Sequence, residues 1–264
     1  MTKYIAFKGL RAGVGTSTIC ANLASAWQKL GQQVVVIDLC PNNDLKWHLG
    51  VKNTYQQGWL ASMINAKSFD LECLSNTLES QKIQFRSPSG LIFFPFGKVL
   101  SDQIFLRQAL YAPEGFLQQF IGKLVLSDDV IIIFHLGDLS CLFESWLPED
   151  TIKLLVANAT MNSYQRLCGC SLDTFKQARH LIINDFDPDL LLQQDLKLLL
   201  REHWYEHVGE KCTQILKDEF ISQALAHNTN VIDAFVDSYS AKSFHLLAIE
   251  LLMDLQVRHD KATA

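Results

Sequence analysis

The sequence has no apolar run long enough to cross a membrane and no room for an export leader, because Tyr4-Ile5-Ala6-Phe7 already reads as a buried strand. A spanning helix needs about 20 predominantly apolar residues, and a leader must precede the first structural element. The expectation is therefore a cytoplasmic protein. A basic surplus is also missing: 23 Lys and Arg stand against 28 Asp and Glu, a net charge of −5. Nucleic-acid binders usually carry a basic stripe, so no nucleic acid is expected as a partner. The seven cysteines, at positions 20, 40, 73, 141, 168, 170 and 212, are odd in number and form no paired framework, which suits reduced thiols. No repeat, low-complexity segment or linker is visible, so residues 1–264 read as a single domain.

What is present is a series of short, buried strands. Tyr4 to Phe7, Gln33 to Ile37, Leu91 to Phe94, Val130 to Phe134, Ile152 to Val156 and His180 to Ile183 are apolar, and most are β-branched rather than alternating with polar residues. Such runs suit strands covered on both faces by helices. Thr18 to Leu30 carries a helical period and stops at Gly31. The repeated β-loop-α-β order predicts an α/β fold, a doubly wound and mostly parallel sheet flanked by helices. Residues 42–88, with Trp47 and Trp59, are less regular and read as helical excursions on one side of the sheet.

Between the first strand and the first helix runs Gly9-Leu10-Arg11-Ala12-Gly13-Val14-Gly15-Thr16-Ser17-Thr18. A strand, a glycine-rich turn and a helix start can wrap backbone N–H groups around an anion. The alternative is a tight turn with no ligand. The loop resembles the deviant P-loop of the MinD/ParA family of ATPases, Gly-Lys-Gly-Gly-x-Gly-Lys-Thr-Thr. That resemblance implies a P-loop NTPase fold with ATP or ADP, and Mg2+ where it can be held. It also implies nucleotide contacts from Arg11, Ala12, Gly13, Val14, Gly15, Thr16, Ser17 and Thr18, with Asn184 at the place of the adenine-reading amide. Ser17 and Asp38 would sit near magnesium. Arg11 occupies the position of the early lysine that reaches across a homodimer to the partner's nucleotide.

The same comparison exposes losses. Thr16 stands where the loop lysine belongs. Cys40, in Asp38-Leu39-Cys40-Pro41, stands where a second Asp would orient the attacking water, and a neutral thiol cannot polarise water as a carboxylate does. Phe134 stands where the family's fifth-position Asp ends the Walker B strand, with His135 read as an ordinary strand-end residue. Asp138 could approach through the following loop. Phosphoryl transfer relies on charge neutralisation and water placement, so little hydrolysis is expected.

Within that family the chain is similar to the cellulose-biosynthesis branch, BcsQ. The likeness lies in Arg11 to Thr18, including the Thr that replaces lysine, in Asp38-Leu39-Cys40-Pro41, in Gln57-Gly58-Trp59, in Pro95-Phe96-Gly97 and in Ile182-Ile183-Asn184-Asp185-Phe186. It implies a nucleotide-binding scaffold, stapled by ATP into a homodimer. It further implies partners like the small operon protein BcsR and the c-di-GMP-binding BcsE, and a place beside the membrane-bound synthase complex at the inner membrane, reached through partners. An active, slow ParA/MinD-type ATPase and a nucleotide-free pseudo-ATPase platform are the competing readings. Three other signals are weaker. His203-Trp204-Tyr205-Glu206-His207 fits an inverted zinc-protease pattern without a third ligand at a compelling place. Cys168-Gly169-Cys170 is too tight for an ordinary metal hairpin. The last helix, from Ala241 to Arg258, carries both signs of charge and suits core packing better than a basic membrane anchor.

Overall fold

The computed structural model describes residues 2–263 except 53, 67–82, 88, 100–114, 125, 127–128, 140 and 176. Eight strands form one sheet: β1 Lys3–Gly9, β2 Gln33–Asp38, β3 Phe85–Arg86, β4 Ile92–Phe94, β5 Val130–Asp138, β6 Ile152–Asn158, β7 Ala178–Phe186 and β8 Lys211–Leu216. Their order is β3-β4-β2-β5-β1-β6-β7-β8. Every pairing is parallel except that of the two-residue β3 with β4. This is the doubly wound sheet that the apolar runs predict.

The described helices are α1 Thr16–Lys29, α2 Leu45–His48, α3 Trp59–Ala66, α4 Phe116–Lys123, α5 Met161–Cys168, α6 Leu172–Phe175, α7 Leu191–His207, α8 Glu219–Ala226, α9 Val231–Ala234 and α10 Tyr239–Thr263. The excursions expected over 42–88 are met by α2 and α3, while 67–82 lie outside the described residues. Both sheet faces are covered. On one face Ile5, Phe7, Val34, Val36, Ile131 and Ile133 pack under α1 and α10. On the other, Ala6, Val35, Ile37, Ile132 and Phe134 pack under α3 and α4. A third cluster joins β6 and β7 to α5 and α7 through Leu181, Ile183, Leu200 and Trp204. Successive strand residues point to opposite faces, so each strand feeds two cores, and continuous apolar runs are the physical result.

One side of α10 packs into the core. Ala241, Phe244, Leu247, Ala248 and Leu251 are buried, and the Trp27 indole N–H of α1 donates to Ala248 O at 2.9 Å. Its outer side exposes Leu246, Ile249 and Met253. No described helix is long and apolar enough to cross a membrane.

Candidate functional site

The carboxyl ends of β1, β2 and β5 open into a cavity of about 710 Å³, within the range of ligand pockets. Arg11, Ala12, Gly13, Gly15, Thr16, Ser17 and Thr18 line one wall. Cys40, Asp44, His48, His135 and Asp138 are among the residues of the others. Seven of the eight expected loop residues thus share one cavity. Val14 is turned into the core.

Two glycines set the loop's shape. Gly13 and Gly15 have φ of +79° and +88°, the left-handed region that glycine enters without cost. At Gly15 a Cβ would also lie 2.1 Å from Asn184 Nδ2, whereas at Gly13 it would meet nothing within 4 Å. Gly15 caps α1 with no side-chain hydrogen bond, so no side chain occupies the first N–H groups of the helix. Those groups and the helix dipole favour an anion.

Asn184, at the end of β7, is buried, and its Nδ2 donates to Val14 O at 3.0 Å. It clamps the loop from beneath and is not among the residues facing the cavity. Arg11 folds back: its guanidinium donates to Ala12 O at 3.0 Å and to Asn158 Oδ1 at 3.4 Å, and its Nε has no hydrogen-bond partner. Asn158 and Asn184 are register partners at the ends of β6 and β7. Thr16 is buried at the helix start and brings no charge to the cavity.

The main correction concerns β5. Phe134 lies in the α3–α4 core, fully buried and stacked on Tyr4 with ring centroids 6.2 Å apart. The α1-facing positions of the strand are Ile131, Ile133 and then His135. Parallel pairing sets His135 beside Asp38. Its Nδ1 lies 2.9 Å from Asp38 Oδ1 and its Nε2 lies 3.1 Å from Ser17 Oγ. Both His135 and Asp38 are essentially without solvent exposure. His135 is therefore not the ordinary strand-end residue expected: it is buried and links Asp38 to Ser17 beside the cavity. The period of two sets Phe134 and His135 on opposite faces but does not say which of them meets α1.

This geometry bears on the expected magnesium pair. Ser17 and Asp38 are adjacent to a common partner but sit on opposite edges of its ring. Asp38 Oδ1 also accepts from the Cys40 N–H at 3.0 Å, and Oδ2 is sealed without a partner. Magnesium takes oxygen ligands at about 2.0–2.1 Å, so two direct ligands can be no more than about 4 Å apart. Two oxygens separated by an imidazole and two hydrogen bonds do not meet that condition, so in this arrangement they cannot both be direct ligands of one magnesium.

Two further groups at the cavity are shifted toward their neutral forms. Burial, and then the nearby Asp38 charge, push the Cys40 thiol up to about 12, so it faces the cavity as a neutral group. Its sulfur approaches Gly137, where a Cβ would come within 2.6 Å. Burial, reinforced by His135, brings His48 down to about 4. Away from the cavity, His203, Glu206 and His207 gather ligand atoms within 4.8 Å of one another on α7. Cys168 Sγ lies 3.9 Å from His203 Nδ1. These groups are largely exposed, and they belong to the outer β7–β8 half of the fold.

Known proteins agree with this architecture. A ParA family ATPase from Chlorobium tepidum superposes with a TM-score of 0.69 at 20% identity, covering 95% of this chain and 98% of that one. A MinD septum site-determining protein complexed with Mg-ADP, from Pyrococcus horikoshii, gives 0.68 at 18% identity and covers 95% and 96%. At these identities the likeness shows the fold alone, the one shared by these ParA and MinD proteins. The sequence goes further. The cellulose biosynthesis protein BcsQ of Escherichia coli K12 is 26% identical over 247 residues, 92% of each chain. The family described as cellulose biosynthesis protein BcsQ matches residues 1–252. With loop, fold and near-full-length likeness in agreement, the chain belongs to the BcsQ family.

Proposed function

We propose that this protein is a nucleotide-binding scaffold of a bacterial cellulose synthase secretion complex, holding ATP or ADP in the loop from Arg11 to Thr18 and turning it over slowly or not at all. The observation that carries the reading is the uncapped start of α1 opening, with Gly13, Gly15 and Ser17, into a cavity large enough for a nucleotide. A family relative's cellulose context supplies the biological setting. In the same reading two copies meet across their loops, with Arg11 unfolding from Asn158 toward the partner's nucleotide. Asn184 offers its remaining amide oxygen to adenine once the base is seated. BcsR-like and BcsE-like proteins are the proposed partners, and they would bring the scaffold to the inner membrane.

The absent charges favour the scaffold over the active-ATPase alternative. Thr16 and a neutral Cys40 leave neither the loop lysine nor the water-orienting carboxylate, and removing a single oxyanion-type stabiliser costs about 2.7–4 kcal/mol. Calorimetric titration with ATP tests the binding step. Gly13→Asp is the useful variant, because a side chain there meets no neighbour and Asp tolerates the left-handed conformation better than most residues. Its carboxylate would enter the anion nest. The variant is expected to bind ATP roughly tenfold or more weakly, about 1.4 kcal/mol. Equal affinity in both proteins would remove the loop assignment.

A further inference from the structure

In P-loop enzymes a loop Ser or Thr hydroxyl and a strand-end Asp hold the magnesium that neutralises the β- and γ-phosphates. Here the Walker B strand β5 brings no carboxylate at Phe134 or His135, and the loop hydroxyl Ser17 Oγ and the β2 carboxylate Asp38 Oδ1 are both engaged by one buried imidazole. We infer that His135 takes the structural place of that magnesium, and that the cavity binds its nucleotide without a divalent cation. The inference rests on the nucleotide reading above.

Two observations support it. First, His135 is among the residues that line the cavity and Asp38 is not. Asp38 Oδ1 is engaged by His135 and by the Cys40 N–H, and Oδ2 is buried. Second, the imidazole cannot itself recruit magnesium, which is a hard cation served by oxygen.

The arrangement is also fixed rather than incidental. Asp38 and His135 are register partners on adjacent central strands, and Ser17 is in the first turn of the helix that follows β1. A chain of contacts from β2 through the ring to Ser17 therefore does what a shared metal does in a two-ligand site: it ties the loop to the sheet. The phosphates of this chain's cavity are then left to the α1 N–H groups. Asp44 and Asp138 also line the cavity, and a metal held by either would appear as cation dependence.

The test is a fluorescence titration of the purified full chain with N-methylanthraniloyl-ATP, once in magnesium and once in excess EDTA. The expected dissociation constants agree within about threefold. An affinity roughly tenfold or more weaker in EDTA overturns the inference while leaving nucleotide binding intact. No binding in either buffer overturns both. His135→Asp is expected to introduce a magnesium dependence of roughly tenfold, and a folded variant that remains indifferent to magnesium refutes the role of the ring. If two neighbouring carboxylates prevent that variant from folding, His135→Asn serves instead. It should lose roughly tenfold in affinity in EDTA, and unchanged affinity would refute the inference.

Discussion

Glu144 joins two lysines that would otherwise be stranded in the core. It contacts Lys8 of β1 closely and accepts from Lys153 of β6 at 2.8 Å, and both lysines are buried. Burial alone would raise its carboxyl, but the hydrogen bonds and charges of the two lysines prevail and hold it below the usual value. Its stabilisation is therefore full above the ordinary carboxylate pKa and is lost as pH falls through the depressed one. Glu144→Gln should cost about 3 kcal/mol in urea unfolding at pH 7, the low end for breaking a buried pair, because the side chain is a quarter exposed. A loss under about 0.5 kcal/mol, typical of surface pairs, would contradict this. His180 works in the same direction. Burial brings it down to about 4 against the pull of Glu250, Asp254 and Glu210, with Lys211 adding to the lowering. Its Nε2 lies 2.7 Å from Thr213 Oγ1. It must stay neutral when folded, so stability is complete above pH 6.5 and is lost as pH falls from there through about 4. His180→Gln should flatten that stretch of a stability-against-pH curve by on the order of 2 kcal/mol, and an unchanged slope would argue against a neutral buried ring. Single residues are also where sequence reading was weakest. Thr16 and Cys40 announced their losses by position in a motif. His135 did not, because its meaning depends on which strand face meets α1, and that is decided by the pairing of β5 with β2 across 97 residues of sequence.

Among the elements, α1 carries the phosphate loop at its start and the main core contact near its end. Trp27 is fully buried, packs near Phe7 with ring centroids 6.4 Å apart, and donates to the backbone of α10. Trp27→Ala should destabilise by about 4 kcal/mol through lost transfer energy and an unfilled cavity. Trp27→Phe should cost much less, about 1–2 kcal/mol, mainly for the hydrogen bond and the smaller ring. Similar values for the two would mean that α10 closes over the gap and is not a fixed part of the core. The strands were legible as continuous apolar runs because both sheet faces are covered. Strand β8 was not, since Lys211 to Leu216 is mostly half-exposed at the sheet's edge and lacks the apolar signature. Strand β3 was missed because two residues carry no period. Asn184 was legible as a strand-end amide, but its grip on Val14 depends on the loop's fold and could not be read in advance.

At the scale of the whole molecule, the proposed role of the nucleotide is that of a ligand joining two subunits. Among the described residues, Arg11 donates to neutral oxygens of its own chain, which bind it less strongly than a carboxylate would. Arg11→Ala should leave the monomer folded and weaken the ATP-dependent dimer roughly tenfold, about 1.4 kcal/mol. Light scattering at matched concentrations reads this, and equal dimer fractions would remove Arg11 from the contact. The central claim is that ATP is kept rather than consumed. It is tested most directly by mixing ATP with excess purified protein, quenching at intervals, and identifying by chromatography the nucleotide that separates with the protein. The account predicts intact ATP in the bound fraction long after a typical ATPase would have turned over. Bound ADP and phosphate appearing at about 1 per second, the lower end of ordinary enzyme rates, or a protein fraction empty of nucleotide, would contradict it.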